Sequence, residues 1–390
     1  MNVPSSGRVN FGELDALRGI AALLVALLHA QWINALCGLT GVRNAYLMVD
    51  FFFVLSGFIM YHTYGTKLGN ALEFRKFVVV RLGRLYPLHL CFLMVFLGIE
   101  FVEYFATTTM GIKVGHAAFE TNNGSAFLAN LLLAHSLGFF DEQTFNTPSW
   151  SISTEFYAYL VFAVLFLFIS GARGRRHAST IIAVVGFGSL LLLGARQMDY
   201  QADYGFLRCL YGFFLGVLAY SVYPRLLATQ RGTAAAGAAL LALTATVVFL
   251  MLKPPRSWAD FAFPVLSAFT VLAVALAQGA SAITWLSSRP MLWLGKVSYS
   301  IYMVHMSLVW FFSQLLRLVF GGQRVKINGD HIGFIAAPVW IGTAVLIVYV
   351  ISLLVLSAFT YRYVEEPCRN YARRLAARMG QQAPKAVGAV

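Results

Sequence analysis

The sequence predicts an all-α membrane protein, a polytopic bundle of about ten transmembrane helices with both termini cytoplasmic. Three observations carry this prediction. Hydrophobic residues make up 59% of the 390 residues and charged residues only 12%, and the mean hydropathy is +0.71. A soluble domain of this size could not bury so much apolar surface, whereas a protein that crosses the bilayer repeatedly exposes it to lipid. The apolar residues also fall into runs of about 20, the length of a membrane-spanning helix.

Each sufficiently long apolar run is a predicted span. The first run has no small-residue cleavage site, so we expect a retained helix and not a signal peptide. An eleventh run, at 126–140, is shorter and contains Asn130 and His135, which leaves open whether it spans, re-enters or lies on the membrane. The ten predicted spans are 17–36, 47–65, 85–106, 149–170, 178–195, 204–222, 233–252, 259–286, 298–319 and 334–362.

The basic residues give the expected orientation. With ten spans and a cytoplasmic N-terminus, most of the 29 lysines and arginines face the cytoplasm, as the positive-inside rule requires. Counting 126–140 as a span would turn the arginines at 173–176 and the basic C-terminal end outward. The predicted parts are a cytoplasmic segment at 1–16, a membrane domain at 17–366 with a long outer segment at 107–148, and a basic cytoplasmic tail at 367–390.

The net charge of +13 does not indicate a nucleic-acid partner. The basic residues alternate with apolar blocks, which is the distribution of orientation signals. The four cysteines show neither pairing nor metal-ligand spacing, so we expect no disulfide framework and no metal site. They are Cys37, Cys91, Cys209 and Cys368.

The first span carries two residues that are costly in hydrocarbon, Arg18 near its start and His29 past its middle. Eleven helical residues turn through about 1100°, so the two side chains lie about 20° apart on one face and about 16 Å apart along the axis. Arg18 could be an interfacial anchor, and His29 could simply hydrogen-bond a neighbouring helix. A shared face instead favours a common cavity.

Acidic residues and a second histidine lie within later spans. Asp50 is near the outer end of the second span, where it is either solvated or orients His29. Glu155 is about six residues into the fourth span, and an ionisable residue at that depth indicates a functional site. His305, half-way along the ninth span, is compatible with core hydrogen bonding and with function. Candidates for supporting roles are Ser149, Trp150, Ser151 and Arg208, the last as a counter-charge for Glu155 or Asp50.

Two closely spaced arginines precede the third span within the stretch RKFVVVRLGRLYPLHL, which begins with Arg75 and Lys76. Arg81 and Arg84 are three residues apart on the predicted inner side, where they could be ordinary cytoplasmic charge. Because the guanidinium fork binds phosphate oxygens in pairs, they could also form a phosphate site near Arg18.

The candidate residues therefore separate by predicted depth. The arginines lie inside, and the histidine and acids lie in the outer half: Arg18, Arg81 and Arg84 against His29, Asp50 and Glu155. This layout suits the passage of an activated group from a polyanionic inner carrier to an outer acceptor. Acyl-coenzyme A has the required shape, a phosphate-bearing head and an arm about as long as the separation of Arg18 and His29.

Several stretches resemble the acyltransferase-3 family, in the family's order and from about residue 11 to 368. The family consists of integral membrane O-acyltransferases that act on bacterial surface polysaccharides, related glycans and some small molecules. The region 171–290 is only generically similar, and the chain lacks the C-terminal esterase-like domain of some longer members, so acceptor handling is expected from the membrane domain or a partner. The matching stretches are LDALRGIAALLVALLHA, VDFFFVLSGFIM, RLGRLYPLHL, SWSISTEFYAYL, GKVSYSIYMVH and YVEEP.

The resemblance also implies roles for individual residues. Arg18 and His29 match the first-span pair that the family needs for activity. Asp50 matches the acid of the second span, and Glu155 matches the acid of the fourth. The paired arginines associated with donor binding are matched by Arg81 and Arg84.

The favoured function is that of a membrane O-acyltransferase in the bacterial inner membrane. It would move an acyl group, with acetyl expected, from cytoplasmic acyl-CoA to a hydroxyl of an exported or cell-envelope glycan. His29 would act as general base, oriented by Asp50 or Glu155, or would carry the acyl group itself. Expected partners are acyl-CoA as co-substrate, a glycan or lipid-linked saccharide and membrane lipid, with no permanently bound cofactor and no nucleic acid.

Two rival functions remain at this stage. A transporter or exporter could use the intramembrane histidine and acids as a proton or substrate path. An inactive homologue could serve as an assembly component, although the retention of every motif residue disfavours that interpretation.

Overall fold

The computed structural model describes residues 11–111, 117–229, 232–326 and 333–379. Nearly all regular structure in these residues is helical, as the composition predicts. The helices and strands are α1 (Gly12–Leu28), α2 (Thr40–Arg43), α3 (Met48–Tyr64), α4 (Ala71–Met110), α5 (Gly124–Leu131), α6 (Trp150–Phe168), α7 (Ala172–Leu192), α8 (Gly205–Thr229), α9 (Thr233–Leu252), α10 (Phe263–Leu276), α11 (Arg289–Lys296), α12 (Ser298–Phe320), β1 (Arg324–Lys326), β2 (Gly333–Ile335), α13 (Val339–Thr360) and α14 (Glu366–Met379).

The prediction of a multi-pass membrane protein is confirmed. Each of the ten predicted spans contains one long helix, and within the described residues eight helices, with their adjoining turns, are long and apolar enough to cross a bilayer. The two predicted spans outside that set are α1, which has only 17 residues, and α7, whose first turns carry three arginines.

Several predicted boundaries are wrong, because apolar runs continue through non-helical backbone. The first predicted span extends to residue 36, but α1 ends at Leu28, and the following segment pairs with β2 through Ile33 N–H to Ile335 O (3.1 Å). The eighth, 259–286, contains α10 between two 3₁₀ segments, Trp258–Ala262 and Ser281–Ser287.

The third predicted span is part of a much longer helix. With 40 residues, α4 is about 60 Å long, twice the thickness of the hydrocarbon core. Its N-terminal half therefore carries Arg81 and Arg84 on the same helix as the span.

The run at 126–140 does not span the bundle. It forms the eight-residue helix α5, about 12 Å long, followed by turns. At the other end of the chain, the predicted basic tail begins as α14 and is helical to Met379. Residues 1–10 of the predicted N-terminal segment, 112–116 of the outer segment and 380–390 of the tail lie outside the described residues, with basic residues Arg8, Lys113 and Lys385 among them, as does Arg231.

The tightest helix crossing holds α3 against α8. A Cβ atom on Gly57 would overlap the carbonyl oxygen of Phe213, and one on Gly216 would overlap that of Val54. Gly57 therefore serves helix packing, since only glycine allows two backbones to approach so closely. This crossing fixes the position of the first turn of α3 relative to the start of α8.

A second close approach joins α1 to α11. A Cβ atom on Gly19 would lie 2.6 Å from the carbonyl carbon of Leu294, and one on Gly295 would overlap the backbone of Asp15. The backbone of α11 consequently lies directly beside the helix turn that carries Arg18.

Candidate active site

Three neighbouring cavities follow α1 from Arg18 to His29. The first, here the arginine vestibule, has a volume of about 470 Å³ and is lined by residues that include Asp15, Arg18, Arg84, Lys296, Glu365, Glu366 and Arg369. The second, the middle cavity, has only about 80 Å³ and is lined by Arg18, Ser56, Arg84, Ser151, Glu155, Ser298 and Tyr302 among others. The third, the histidine cavity, has about 260 Å³ and is lined by residues that include His29, Gln143, Trp150, Asp199, Arg208, Arg256 and Tyr302.

Neighbouring cavities share lining side chains. Arg18 and Arg84 line both the arginine vestibule and the middle cavity. Tyr302 lines both the middle cavity and the histidine cavity. The two larger of these three cavities thus lie at the two ends of α1, and the smallest lies between them.

Arg18 is held by the turn between α11 and α12. Its Nε donates to Ser298 Oγ (2.8 Å), and one terminal nitrogen donates to the carbonyl of Gly295 (2.9 Å). The same nitrogen lies 3.0 Å from Asp15 Oδ1, one turn earlier on α1. These fixed partners hold the guanidinium at the cavity wall, so Arg18 does not act as a freely snorkelling anchor.

The two arginines of α4 do not face the same space. Three residues rotate a helix by about 300°, and Arg81 turns into an aromatic cage. Its guanidinium lies over the rings of Tyr64 (5.1 Å) and Tyr159 (5.8 Å), and it donates to Tyr64 Oη (2.9 Å). Arg84 instead lines the arginine vestibule and makes no hydrogen bond or ion pair with any described residue. Of the predicted pair, only Arg84 reaches the vestibule.

Glu155 lies with the arginines and not with His29. Its Oε1 accepts hydrogen bonds from Ser56 Oγ and Tyr159 Oη, both at 2.5 Å. Trp150 of the same helix lines the histidine cavity, but Glu155 is five residues further along, about 7.5 Å deeper. The carboxylate therefore faces the middle cavity with Arg18 and Arg84, whereas the sequence groups Glu155 with His29 in the outer half.

Asp50 is fully occupied by a buried ion pair. Arg208 Nε donates to Oδ1 (2.8 Å) and a terminal nitrogen donates to Oδ2 (2.7 Å), with the two side chains 0% and 1% exposed. Arg208 also donates to the carbonyl of Tyr46 (3.0 Å) and lies over the ring of Trp150 (5.2 Å). Arg208 is thus the counter-charge of Asp50 and not of Glu155, and Asp50 reaches the histidine cavity through it.

Beside His29 the structure places His305, while Asp199 lines the same cavity. Among the described residues no carboxylate hydrogen-bonds the His29 ring. The two imidazole rings are 5.0 Å apart between centroids. Each ring places Nδ1 on a backbone carbonyl, that of Val25 for His29 (2.8 Å) and that of Tyr302 for His305 (2.7 Å). Because a carbonyl can only accept, Nδ1 must carry the proton. In the neutral rings Nε2 is then the basic nitrogen, and that of His305 is buried without a described partner.

The remaining predicted residues lie at the boundaries between cavities. Ser151 Oγ is 2.9 Å from Tyr302 Oη, which fixes the side chain shared by the middle and histidine cavities. Ser149 faces away from all three, and its Oγ is 3.0 Å from Nε2 of His135 in the segment after α5. His135 is outside the spanning helices, and burial lowers its pKa to about 3.

Some lining residues carry no motif signal. Asp199 and Arg256 lie in connections within 171–290, the region where the family resemblance is only generic. Tyr302 is visible in the sequence only as part of the polar surroundings of His305. Ser56 also carries no motif signal of its own, yet it hydrogen-bonds Glu155.

A family comparison decides what this arrangement belongs to. The family model described as "Acyltransferase domain", that of the acyltransferase-3 family, matches residues 11–362. The chain belongs to the acyltransferase-3 family. It is therefore a multi-pass membrane acyltransferase. The middle and histidine cavities lie within the matched domain, and α14 adds Glu366 and Arg369 to the arginine vestibule.

Curated relatives of this acyltransferase are similar at low identity. A protein of Komagataeibacter xylinus named as a membrane-bound transacylase, BcsY, is 27% identical over 299 residues, covering 75% of this chain and 71% of the relative. A Bacillus subtilis protein named as a peptidoglycan O-acetyltransferase is 25% identical over 395 residues, covering 93% of this chain and 55% of the relative. The acyltransferase thus spans about half the length of the second relative. No solved structure matches the chain.

Proposed function

We propose that this acyltransferase moves an acyl group, with acetyl expected, from acyl-CoA to a hydroxyl of an exported or cell-envelope glycan in the bacterial inner membrane. One observation carries the proposal. A vestibule with four cationic side chains and a histidine cavity lie at opposite ends of α1, and the cavity between them, about 80 Å³, is too small for a coenzyme head group. The names of the relatives, a transacylase and a peptidoglycan O-acetyltransferase, support an O-acetyl transfer to a saccharide.

The arginine vestibule would bind the phosphates of the donor. Arg84 makes no described hydrogen bond or ion pair at contact distance, and Glu155 and Glu365 act on it only through longer-range attraction, so its guanidinium can pair with a phosphate. Asp15 lies 3.0 Å from Arg18. The ion pairs of Lys296 with Glu366 (3.8 Å) and of Arg369 with Glu365 (3.9 Å) are longer. A polyanion can therefore compete for these cations at moderate cost. Its thioester arm would follow the middle cavity past Glu155 toward His29, about 16 Å from Arg18.

His29 would supply the base for transfer. With Nδ1 bonded to the carbonyl of Val25, Nε2 can accept the proton of the acceptor hydroxyl. The hydroxyl oxygen then attacks the thioester carbonyl carbon, the carbon–sulfur bond breaks, and the imidazolium returns the proton to the departing CoA sulfur. His305 lies close enough to stabilise the orientation of His29, a part that neither Asp50 nor Glu155 can take from its position.

The purified protein, incubated with radiolabelled acetyl-CoA and a saccharide acceptor, should release CoA and label the acceptor. His29→Ala should reduce transfer by at least 100-fold, within the usual contribution of a general base. His177→Ala, which alters an exposed histidine at the start of α7, is the matched control and should retain full activity. Full activity in a folded His29→Ala protein would refute the proposed base.

The same preparation separates the enzyme from a transporter. Proteoliposomes that accumulate a solute without releasing CoA would favour the transporter instead. A stoichiometric burst of CoA in the absence of acceptor would indicate that His29 carries the acyl group covalently before transfer.

A further inference from the structure

The histidine cavity has a polar wall that the chemistry of His29 does not use. We propose that this wall, formed by Asp199, Arg256, Gln143 and Gln201, is the acceptor subsite and is built for an uncharged, hydroxyl-rich sugar. The inference rests on the proposed function, because it assigns residues to the acceptor of that reaction.

The chemical groups of this wall are those that bind sugar hydroxyls. Asp199 offers carboxylate oxygens, and Gln143 and Gln201 each offer an amide that both donates and accepts. The rings of Trp150 and Tyr46 line the same cavity. Aromatic surfaces with a few fixed polar groups are typical of small-molecule sites, where the polar groups set orientation.

The polar groups are held in place by one another. Asp199 Oδ2 accepts from Arg256 Nε (2.9 Å), and Oδ1 accepts from Gln201 Nε2 (3.0 Å). Asp199 and Arg256 remain 13% and 20% exposed, so both reach the cavity. The wall is therefore arranged before any acceptor enters, which lowers the entropic cost of binding.

Arg256 is also held by its backbone. It adopts a φ of +52°, a left-handed conformation unusual for a residue other than glycine. Its N–H donates to Tyr46 Oη (2.8 Å), and its guanidinium lies over the Tyr46 ring (5.6 Å). Tyr46 in turn donates to the buried carboxylate of Asp260 (2.7 Å). A non-glycine residue kept in this conformation by surrounding contacts is a common feature of ligand sites.

The charges of the wall favour an uncharged acceptor. The charged residues that line the cavity are Asp199, Arg208 and Arg256. Arg208 is neutralised by Asp50 and Arg256 by Asp199. An anionic sugar would have to displace Asp199 from Arg256 and leave that carboxylate uncompensated, whereas neutral hydroxyls can bind both groups without breaking the pair.

The test compares two acceptors that differ by one carboxylate, methyl glucoside and methyl glucuronide. The glucoside should stabilise the purified protein against thermal unfolding. The glucuronide should need at least a tenfold higher concentration to give the same rise in unfolding temperature. Asp199→Ala should raise the glucoside concentration needed for a given thermal stabilisation by at least tenfold. Glu142→Ala, which removes an exposed carboxylate next to Gln143, should leave it unchanged.

Asp199→Asn adds a readout that a merely structural residue would not move. It leaves Arg256 without its carboxylate partner in the wall, so the preference should shift toward the glucuronide by at least tenfold. A wild-type protein that prefers the glucuronide, or equal effects of Asp199→Ala and Glu142→Ala, would overturn the subsite. Since this binding assay needs no turnover, loss of acetyl transfer alone would count against the proposed function and not against the subsite.

Discussion

At the scale of single residues, the ion pair of Asp50 and Arg208 ties α3 to α8 within the wall of the histidine cavity. The pair is bidentate and removed from water, and Arg208 has two further carbonyl acceptors, those of Tyr46 (3.0 Å) and Tyr200 (3.1 Å). A buried pair of this kind is costly to assemble but even more costly to break, because the remaining charge has no solvent. Its role in the structure is to hold Trp150 and the cavity wall, and His29 receives no direct contact from it.

Removing one partner of this pair should therefore unfold the protein more easily. Asp50→Leu should lower the free energy of unfolding by about 3–5 kcal/mol, since it strands a buried guanidinium. The double variant Asp50→Leu with Arg208→Met should recover most of that loss. Thermal unfolding in detergent measures both effects.

The control uses a pair in contact with water. Glu73 and Lys76 are 2.7 Å apart with side chains about a third and a quarter exposed, and Glu73→Ala should cost less than about 1 kcal/mol. A single Asp50→Leu variant as stable as the wild type would show that the pair is not the cross-link inferred from its geometry.

At the scale of elements, α1 acts as a spacer with both ends anchored. Arg18 is fixed to α11 and α12 through Gly295 and Ser298. Directly after His29, the chain pairs with β2, and Trp32 Nε1 donates to the carbonyl of Gly342 in α13 (3.0 Å). Neither end can rotate to compensate for a change within the helix. The separation and the relative direction of Arg18 and His29 are therefore properties of the helix alone.

An inserted residue should break this relation. One alanine between Leu23 and Leu24 advances His29 by about 1.5 Å and rotates it by about 100° relative to Arg18. We expect acetyl transfer to fall to background, while membrane insertion and the yield of protein remain close to normal. Transfer of label from acetyl-CoA measures the first, and membrane fractionation measures the second.

The matched change is the substitution Leu24→Ala, which removes side-chain volume at the same place without altering the helical phase. It should retain most of the activity. If the insertion variant were as active as Leu24→Ala, the alignment of Arg18 with His29 would not be required.

At the scale of the whole molecule, the predicted orientation places the arginine vestibule in the cytoplasm and the histidine cavity outside. Two native cysteines mark these ends. Cys37 lies in the connection after α1, and Cys368 lies in α14, and both are partly exposed. The remaining cysteines belong to spanning helices, with Cys209 completely buried.

Single-cysteine proteins should report the orientation directly. A membrane-impermeant maleimide should label Cys37 in right-side-out vesicles and Cys368 only in inverted ones. Detergent-solubilised protein, in which both sites are accessible, serves as the labelling control. The opposite pattern would reverse the assignment of the donor and acceptor ends.

The sequence predicts where the helices of this molecule lie in the chain better than it predicts their ends and their packing partners. Apolar runs predict every long helix, because lipid exposure requires them, but they miss helix ends where 3₁₀ or extended backbone stays apolar, as at residues 29–36. The depth of a residue along a span can be estimated from its number, but the neighbouring helix that its side chain contacts cannot. Asp50 therefore meets Arg208, 158 positions away, and Glu155 meets Ser56, 99 positions away, without any local signal. The family motifs identify these residues but not their partners.

The small volume of the middle cavity has an energetic consequence for a cell that maintains a membrane potential. Moving one elementary charge across the membrane costs or yields about 2.3 kcal/mol per 100 mV. In the proposed reaction the phosphates remain at one end and the sugar at the other, and only the uncharged thioester arm enters the small cavity lined by Arg18 and Tyr302. The electric field then does almost no work on the transfer, so the free energy that drives acylation is that of the thioester alone. The transfer also requires no passage of ions across the bilayer.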